Sequence, residues 1–176
     1  MKNRTRGSLI LPLVAALSVA ADQASKHSVR ENLIPGQSLD LTPGLSSVLR
    51  ITYVTNTGAA FGLFPGWSQV FVAVAVVVIV ALVWYYVQLS DGQSLVQLAL
   101  GLQLGGAIGN LIDRLRFGGS VVDFIDLNFW PLRRWPVFNL ADASIVTGVT
   151  VLTLLMLWEE CQDWRTSRQL APAADE

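Results

Sequence analysis

Cysteine and histidine are nearly absent from this 176-residue chain, with one of each, and only 14% of its residues are charged. Cys161 has no internal disulfide partner, and neither a CxxC nor a histidine cluster surrounds it. With His27 as the sole imidazole, neither a conventional zinc site nor a Ser-His-Asp set can be assembled, so no metal and no cofactor are expected. Twelve Lys and Arg against thirteen Asp and Glu give a net charge of −1. No basic stripe is present, which argues against nucleic acid as a partner. There are no repeats and no low-complexity tracts.

What is abundant is apolar surface. The chain is 52% hydrophobic, with a mean hydropathy of +0.49, whereas a soluble domain is about one quarter charged. Not one charged residue occurs between Ile51 and Ser90. The expected fold class is therefore an α-helical polytopic membrane protein with four transmembrane helices, at about 8–24, 67–89, 94–112 and 140–158. Residues 1–158 form one membrane-embedded domain, and 159–176 a loose polar tail. The first segment has two readings. Basic Met1–Gly7, an apolar run and small residues at Val19 and Ala21 fit a cleaved signal peptide. Continuation past Ala21 through Asp22, in a chain that is membrane-embedded elsewhere, favours a retained helix ended by Asp22-Gln23-Ala24-Ser25-Lys26.

Trp67 and the Trp84-Tyr85-Tyr86 cluster bracket the second helix like interfacial anchors. Ser90-Asp91-Gly92-Gln93 reads as a tight turn. Gly101, Gly105 and Gly109 recur every four residues in the third helix, a stripe that permits close helix contact. Pro35-Gly36 and Pro43-Gly44 mark turns, and the β-branched, roughly alternating Val48–Val54 suggests a strand. Val121–Leu127 has strand-like composition, within a connector from Asp113 to Val137 that is too polar to span.

Four helices place both termini on one side and the connectors 22–66 and 113–137 on the other. That brings Asp22, Asn56, Asp123 and Asp142 to one membrane face. Charge leaves the orientation open: the termini and the Ser90 turn carry five Lys/Arg, the two connectors seven.

Carboxylates between membrane-length segments are costly, so they point to function. Two close carboxylates share a proton and can act as general base and general acid together, which suits amide hydrolysis. Each residue also has a plainer reading. Asn139-Leu140-Ala141-Asp142 is an N-cap followed by an acid at the third helical position. Asp123 reads as a solvated loop charge, Asp22 and Lys26 as a polar flank paired i, i+4, and Asp113-Arg114 as an interfacial ion pair. The plain readings leave unexplained why Asn110, Arg114, Asn139 and two aspartates collect at one face.

Five motifs then carry a resemblance: Asp22-Gln23-Ala24-Ser25-Lys26, Asn56-Thr57-Gly58-Ala59-Ala60-Phe61-Gly62, Gly105 to Arg114, Val121 to Asp126, and Phe138-Asn139-Leu140-Ala141-Asp142. In this order and spacing they resemble bacterial lipoprotein signal peptidase (signal peptidase II). The resemblance implies an aspartic endopeptidase of the bacterial inner membrane, cutting prolipoproteins before the cysteine that carries diacylglycerol. Asp123 and Asp142 match its catalytic pair; Asp22, Lys26, Asn56, Asn110, Arg114 and Asn139 match its supporting polar positions. It further implies a small periplasmic β-rich cradle, cytoplasmic termini, an active site at the periplasmic face, and membrane lipid and diacylglyceryl-modified prolipoproteins as partners of a monomer. His27-Ser28 departs from the more apolar residues expected after Lys26. The alternative from another class is a proton-coupled transporter using clustered carboxylates, against which the acids gather at one face and do not line a path. A non-catalytic assembly subunit would instead centre on the glycine stripe. A presenilin-type protease is disfavoured, because the chain has no Gly-x-Gly-Asp.

Overall fold

A computed structural model describes residues 9–42, 44–58, 67–89 and 92–170. The basic Met1–Gly7 stretch, the Pro43 turn position, Ala59–Gly62 of the second motif, the Ser90-Asp91 turn residues and the end of the tail at 171–176 lie outside the described residues. The element order is α1 (Ile10–Asn32), β1 (Ser38–Leu39), β2 (Leu49–Asn56), α2 (Ser68–Gln88), α3 (Ser94–Arg116), β3 (Val121–Leu127), a 3-10 turn (Leu132–Arg134) and α4 (Leu140–Leu170).

Helix α3 is the centre of the bundle, with α1, α4 and α2 packed around it. Its glycines explain how closely. A Cβ at Gly101 would lie 2.9 Å from both Leu11 O and Val14 Cβ, and one at Gly105 2.5 Å from Ser18 Cβ. The stripe at 101, 105 and 109 faces α1, whereas Gly106 faces Ala141 and Ile145 of α4. From α4, Gly148 returns the contact against Ala99 and Gln103. Small residues thus let three backbones meet where apolar attraction alone gives no advantage over lipid.

Helix α2 behaves differently. None of its residues is buried, so its valine-rich surface is left for surrounding hydrocarbon. Among the described residues, α2, α3 and α4 are long and apolar enough to cross a membrane. Helix α1 does not qualify by composition, because its second half carries Asp22, Lys26, His27, Arg30 and Glu31.

Three helices outrun their expected ends, for one reason. No Gly or Pro occurs between Leu13 and Ile34, so α1 continues through Asp22–Lys26 to Asn32. Its buried residues Leu11, Ala15, Asp22, Lys26 and Val29 form one stripe. The two charged residues therefore extend the packed face and are not an interfacial flank. Helix α3 runs past Asp113 to Arg116 and stops before Gly118 and Gly119, whose φ values of +60° and +94° suit glycine. Helix α4 meets no breaker after Gly148 and continues to Leu170, so residues 159–170, expected as loose tail, are helical.

The three strands form an antiparallel sheet in the order β1-β2-β3. Strand β3 occupies the expected residues, and β2 is shifted slightly C-terminal of the expected Val48–Val54. A β-bulge between Ile51 and Val54 separates the pairs Ile51–Ile125 and Val54–Asp123. Val29 of α1 and Leu33 just beyond it pack with Tyr53, Val122 and Phe124 to hold the sheet on the end of the bundle.

Candidate active site

Where sheet and bundle meet, an amide-rich network joins residues of α1, β2, α3, β3 and α4. It starts at the N-terminus of α4. The Asn139 Oδ1 accepts the Asp142 N–H at 2.9 Å, and Asp142 Oδ2 accepts the Asn139 N–H at 3.2 Å. This is a reciprocal helix cap, so the plain reading of Asn139 and Asp142 is realised. The cap leaves the Asn139 amide nitrogen pointing away from the helix. It donates to Asp123 Oδ1 at 2.7 Å and to Asn110 Oδ1 at 3.1 Å. Asn110 in turn donates to Asp142 Oδ1 at 2.7 Å. From β2, Asn56 Nδ2 reaches Asp123 Oδ2 at 3.1 Å, while its Oδ1 accepts the Gly58 N–H at 2.9 Å. Asp123 and Asp142, 19 positions apart in sequence, are thus bridged through Asn139 and Asn110.

Behind the amides lies a charged knot. Lys26 Nζ sits 2.9 Å from Asp22 Oδ2, 3.2 Å from Asp113 Oδ2 and 2.9 Å from Asn110 Oδ1. Lys26, Asp22 and Asp113 have no solvent-exposed side-chain surface. Asp113 therefore pairs with Lys26 of α1, not with its sequence neighbour Arg114. Asp113 and Gln23 were not among the site residues expected from the sequence. Their signal was faint, two polar residues beside stronger motif positions, although both faced a buried seam.

In front of the amides is an apolar cavity of about 640 Å³. Asn56, Asn110, Arg114, Asp123 and Asp142 line it together with Val121, Leu132, Trp135, Val137, Phe138 and Ile145. Arg114 stands over the Phe71 ring, 5.6 Å from its centre, and its buried Nε has no hydrogen-bond partner among the described residues. Of the eight expected residues, Asn56, Asn110, Arg114, Asp123 and Asp142 face the cavity, whereas Asp22, Lys26 and Asn139 are buried behind it.

Asp123 is only 3% exposed. Burial pushes its carboxyl up to about 7, and the neighbouring Asp142 charge adds to the effect; the Asn56 and Asn139 amides and the Lys26 charge oppose it. A carboxyl poised near neutrality beside a second carboxylate can give or take a proton at physiological pH. Among the described residues, no group of three or more His, Cys, Asp or Glu is placed to hold a metal ion.

Residues 14–158 match the family described as signal peptidase (SPase) II. The lipoprotein signal peptidase of Moorella thermoacetica is 50% identical over 145 residues, covering 82% of this chain and 91% of that one. That of Halothermothrix orenii is 44% identical over 148 residues, covering 84% and 94%. A bacterial membrane enzyme solved by the in meso method at 2.3 Å aligns with a TM-score of 0.74 and 30% identity, covering 93% of this chain and 92% of that one. The family match includes every residue of the network, from Asp22 to Asp142, together with the helices and sheet that carry it; this chain belongs to the signal peptidase II family of lipoprotein-processing membrane peptidases.

Proposed function

We propose that this chain is an aspartic endopeptidase that removes the signal peptide from diacylglyceryl-modified prolipoproteins, cutting before the lipid-bearing cysteine. The observation that carries the reading is the shared position of Asp123 and Asp142 on one apolar cavity, bridged by Asn139 and Asn110. The pair holds one proton. Its ionised member takes a proton from water, and the resulting hydroxide attacks the scissile carbonyl carbon. The protonated member donates to the carbonyl oxygen. Collapse of the tetrahedral intermediate breaks the C–N bond as one of its hydroxyl protons returns to the carboxylate that had donated, and the proton first taken from water passes to the leaving nitrogen. The amides of Asn56, Asn110 and Asn139 fix both carboxyl groups before substrate arrives, so little reorganisation accompanies the reaction. Arg114, on the cavity wall without a carboxylate partner in hydrogen-bond contact, orients a peptide carbonyl.

The apolar cavity wall suits a substrate whose signal helix and acyl chains are confined to the bilayer. In this reading α1 is the fourth span, with its Asp22 and Lys26 sheltered from lipid inside the bundle. The termini, with the helical extension of α4, are cytoplasmic. The site lies at the periplasmic face of the bacterial inner membrane, and the enzyme acts as a monomer.

The test is a gel-shift cleavage assay in detergent. It compares a diacylglyceryl-modified prolipoprotein with its unmodified precursor, using wild type, Asp123→Asn and Asp142→Asn. Cleavage of the modified form alone, lost in both variants, is expected. Turnover by either variant would remove the dyad, and equal cleavage of both precursors would remove the lipid requirement.

A further inference from the structure

Asp22 and Asp113 lie outside the cavity, yet each does the same thing to one of the two reacting aspartates. Asp22 Oδ1 accepts the Ala141 N–H at 3.0 Å, and Asp113 Oδ2 accepts the Val122 N–H at 3.0 Å. Ala141 immediately precedes Asp142, and Val122 immediately precedes Asp123. One carboxylate therefore ties α1 to the first turn of α4, and the other ties α3 to β3.

The two ties are themselves cross-braced. Lys26 Nζ contacts both carboxylates. Gln23 Nε2 forms a second brace, 3.2 Å from Asp22 Oδ2 and 3.0 Å from Asp113 Oδ1, and also reaches Gly109 O at 3.1 Å. Gly109 makes room for this arrangement: a Cβ there would lie 2.6 Å from Asp22 Oδ2.

The geometry points to Asp22 and Asp113 as positioning residues, two latches braced by Lys26 and Gln23 that set the separation of Asp123 and Asp142 from behind. This inference rests on reading Asp123 and Asp142 as the reacting pair. Strand β3 belongs to a sheet and Asp142 to a membrane helix, and the bridge through Asn139 and Asn110 joins their carboxyl groups only through side chains. The latches add a second link from behind, and the backbone N–H groups that donate to them lie one residue away from the chemistry.

Merely balancing the Lys26 charge is a different role, and the two roles order the variants oppositely. Asp113→Glu keeps the charge but lengthens the latch by one methylene, which displaces β3. Asp113→Asn loses the charge, yet its oxygen can still accept the Val122 N–H at the original reach. The position is well suited to this test, because one oxygen, Oδ2, serves both Val122 and Lys26.

The experiment measures kcat, KM and unfolding temperature in detergent for both variants on a diacylglyceryl-modified prolipoprotein, with Asp123→Asn as control. Asp113→Glu is expected to lose on the order of 100-fold in kcat at unchanged KM, the cost of misplacing a reacting group by about 1 Å. Asp113→Asn should retain the higher kcat while unfolding at the lower temperature. A more active Asp113→Glu than Asp113→Asn, or a loss confined to KM, overturns the latch. If Asp113→Glu does not fold, Gln23→Met, which cuts one brace without changing charge, gives the same reading: kcat falls at constant KM, and an unchanged kcat refutes the proposal. An active Asp123→Asn would remove the dyad itself. An inactive Asp123→Asn beside a fully active Asp113→Glu would remove the latch alone.

Discussion

Asp22 and Asp113 share a cation, whereas Asp123 and Asp142 are held by amides. The first pair is sealed, with Lys26 in salt-bridge contact with both carboxylates. The second lines an open cavity and receives N–H donors from Asn56, Asn110 and Asn139. Four carboxylates in one small region are thereby divided into two roles. A buried carboxylate in contact with an ammonium and a backbone N–H is costly to disturb, because removing a partner leaves an uncompensated buried group. A buried carboxyl beside another carboxylate keeps its proton into the neutral range, as Asp123 does at about 7. On the proposed reading, the pair that Lys26 contacts is structural and the pair that faces the cavity reacts.

The contrast breaks most sharply at the cavity pair. Asp123→Asn and Asp142→Asn are each expected to lower turnover by at least about a thousandfold, within the range of general acid–base contributions. The fold should survive, because asparagine keeps the size and, at position 142, an acceptor for the cap. Single-turnover cleavage beside thermal unfolding in detergent separates the two effects.

At the sealed pair the expected loss is stability. Lys26→Met leaves two buried carboxylates without their cation, and removing one partner from a buried ion pair costs about 3–5 kcal/mol. Unfolding in detergent reads this directly. An unfolding temperature equal to wild type would show that the knot does not need its charge.

The poise of Asp123 sharpens the comparison through pH. Turnover should fall as pH rises through about 7, where Asp123 loses its proton. In the unfolded chain an aspartate titrates near 4. Its folded value is higher, so its stabilising contribution is complete below about 4 and lost as pH climbs to about 7. Asp123→Asn, neutral throughout, should therefore gain stability relative to wild type across that window. A gap in unfolding temperature that does not widen between pH 4 and pH 8 would refute the poise.

The smallest effect is expected at Asp126, also on β3. It pairs with Arg50 at 2.9 Å and accepts from Thr52 Oγ1 at 2.7 Å, where Arg50 is 35% exposed. Asp126→Ala should cost no more than about 1 kcal/mol, as for ion pairs near a surface, and leave kcat unchanged. A large kcat loss would mean that the sheet transmits strain to Asp123.

Much of this was legible in the residues. Uncharged runs marked α2 and most of α3 and α4, and β-branched composition marked β3. The spaced glycines at 101, 105 and 109 announced a close helix contact, and α1 is the partner they meet. Asp113 was misread because sequence proximity to Arg114 suggested a pair. Successive helical residues point about 100° apart, so Asp113 faces α1 while Arg114 faces the cavity. Asp22 and Lys26 do pair as their spacing allowed, but their plain reading as a flank fell short for a related reason. Their charge suggested an interface, but spacing of i, i+4 only puts them on one face and does not say what covers it.

The sequence by itself determined the apolar spans, the strand β3 and the inventory of polar groups, because each follows from composition, period or chain-breaking residues along a single element. The tertiary structure alone decided the partnerships: Lys26 with Asp113, Asp22 with Ala141, and Asn139 with Asp123. The reason is physical. These contacts join residues 16 to 119 positions apart, and it is the close approach of α1, α3 and α4, made possible by glycine, with the sheet packed on their end, that brings the polar side chains within hydrogen-bond reach.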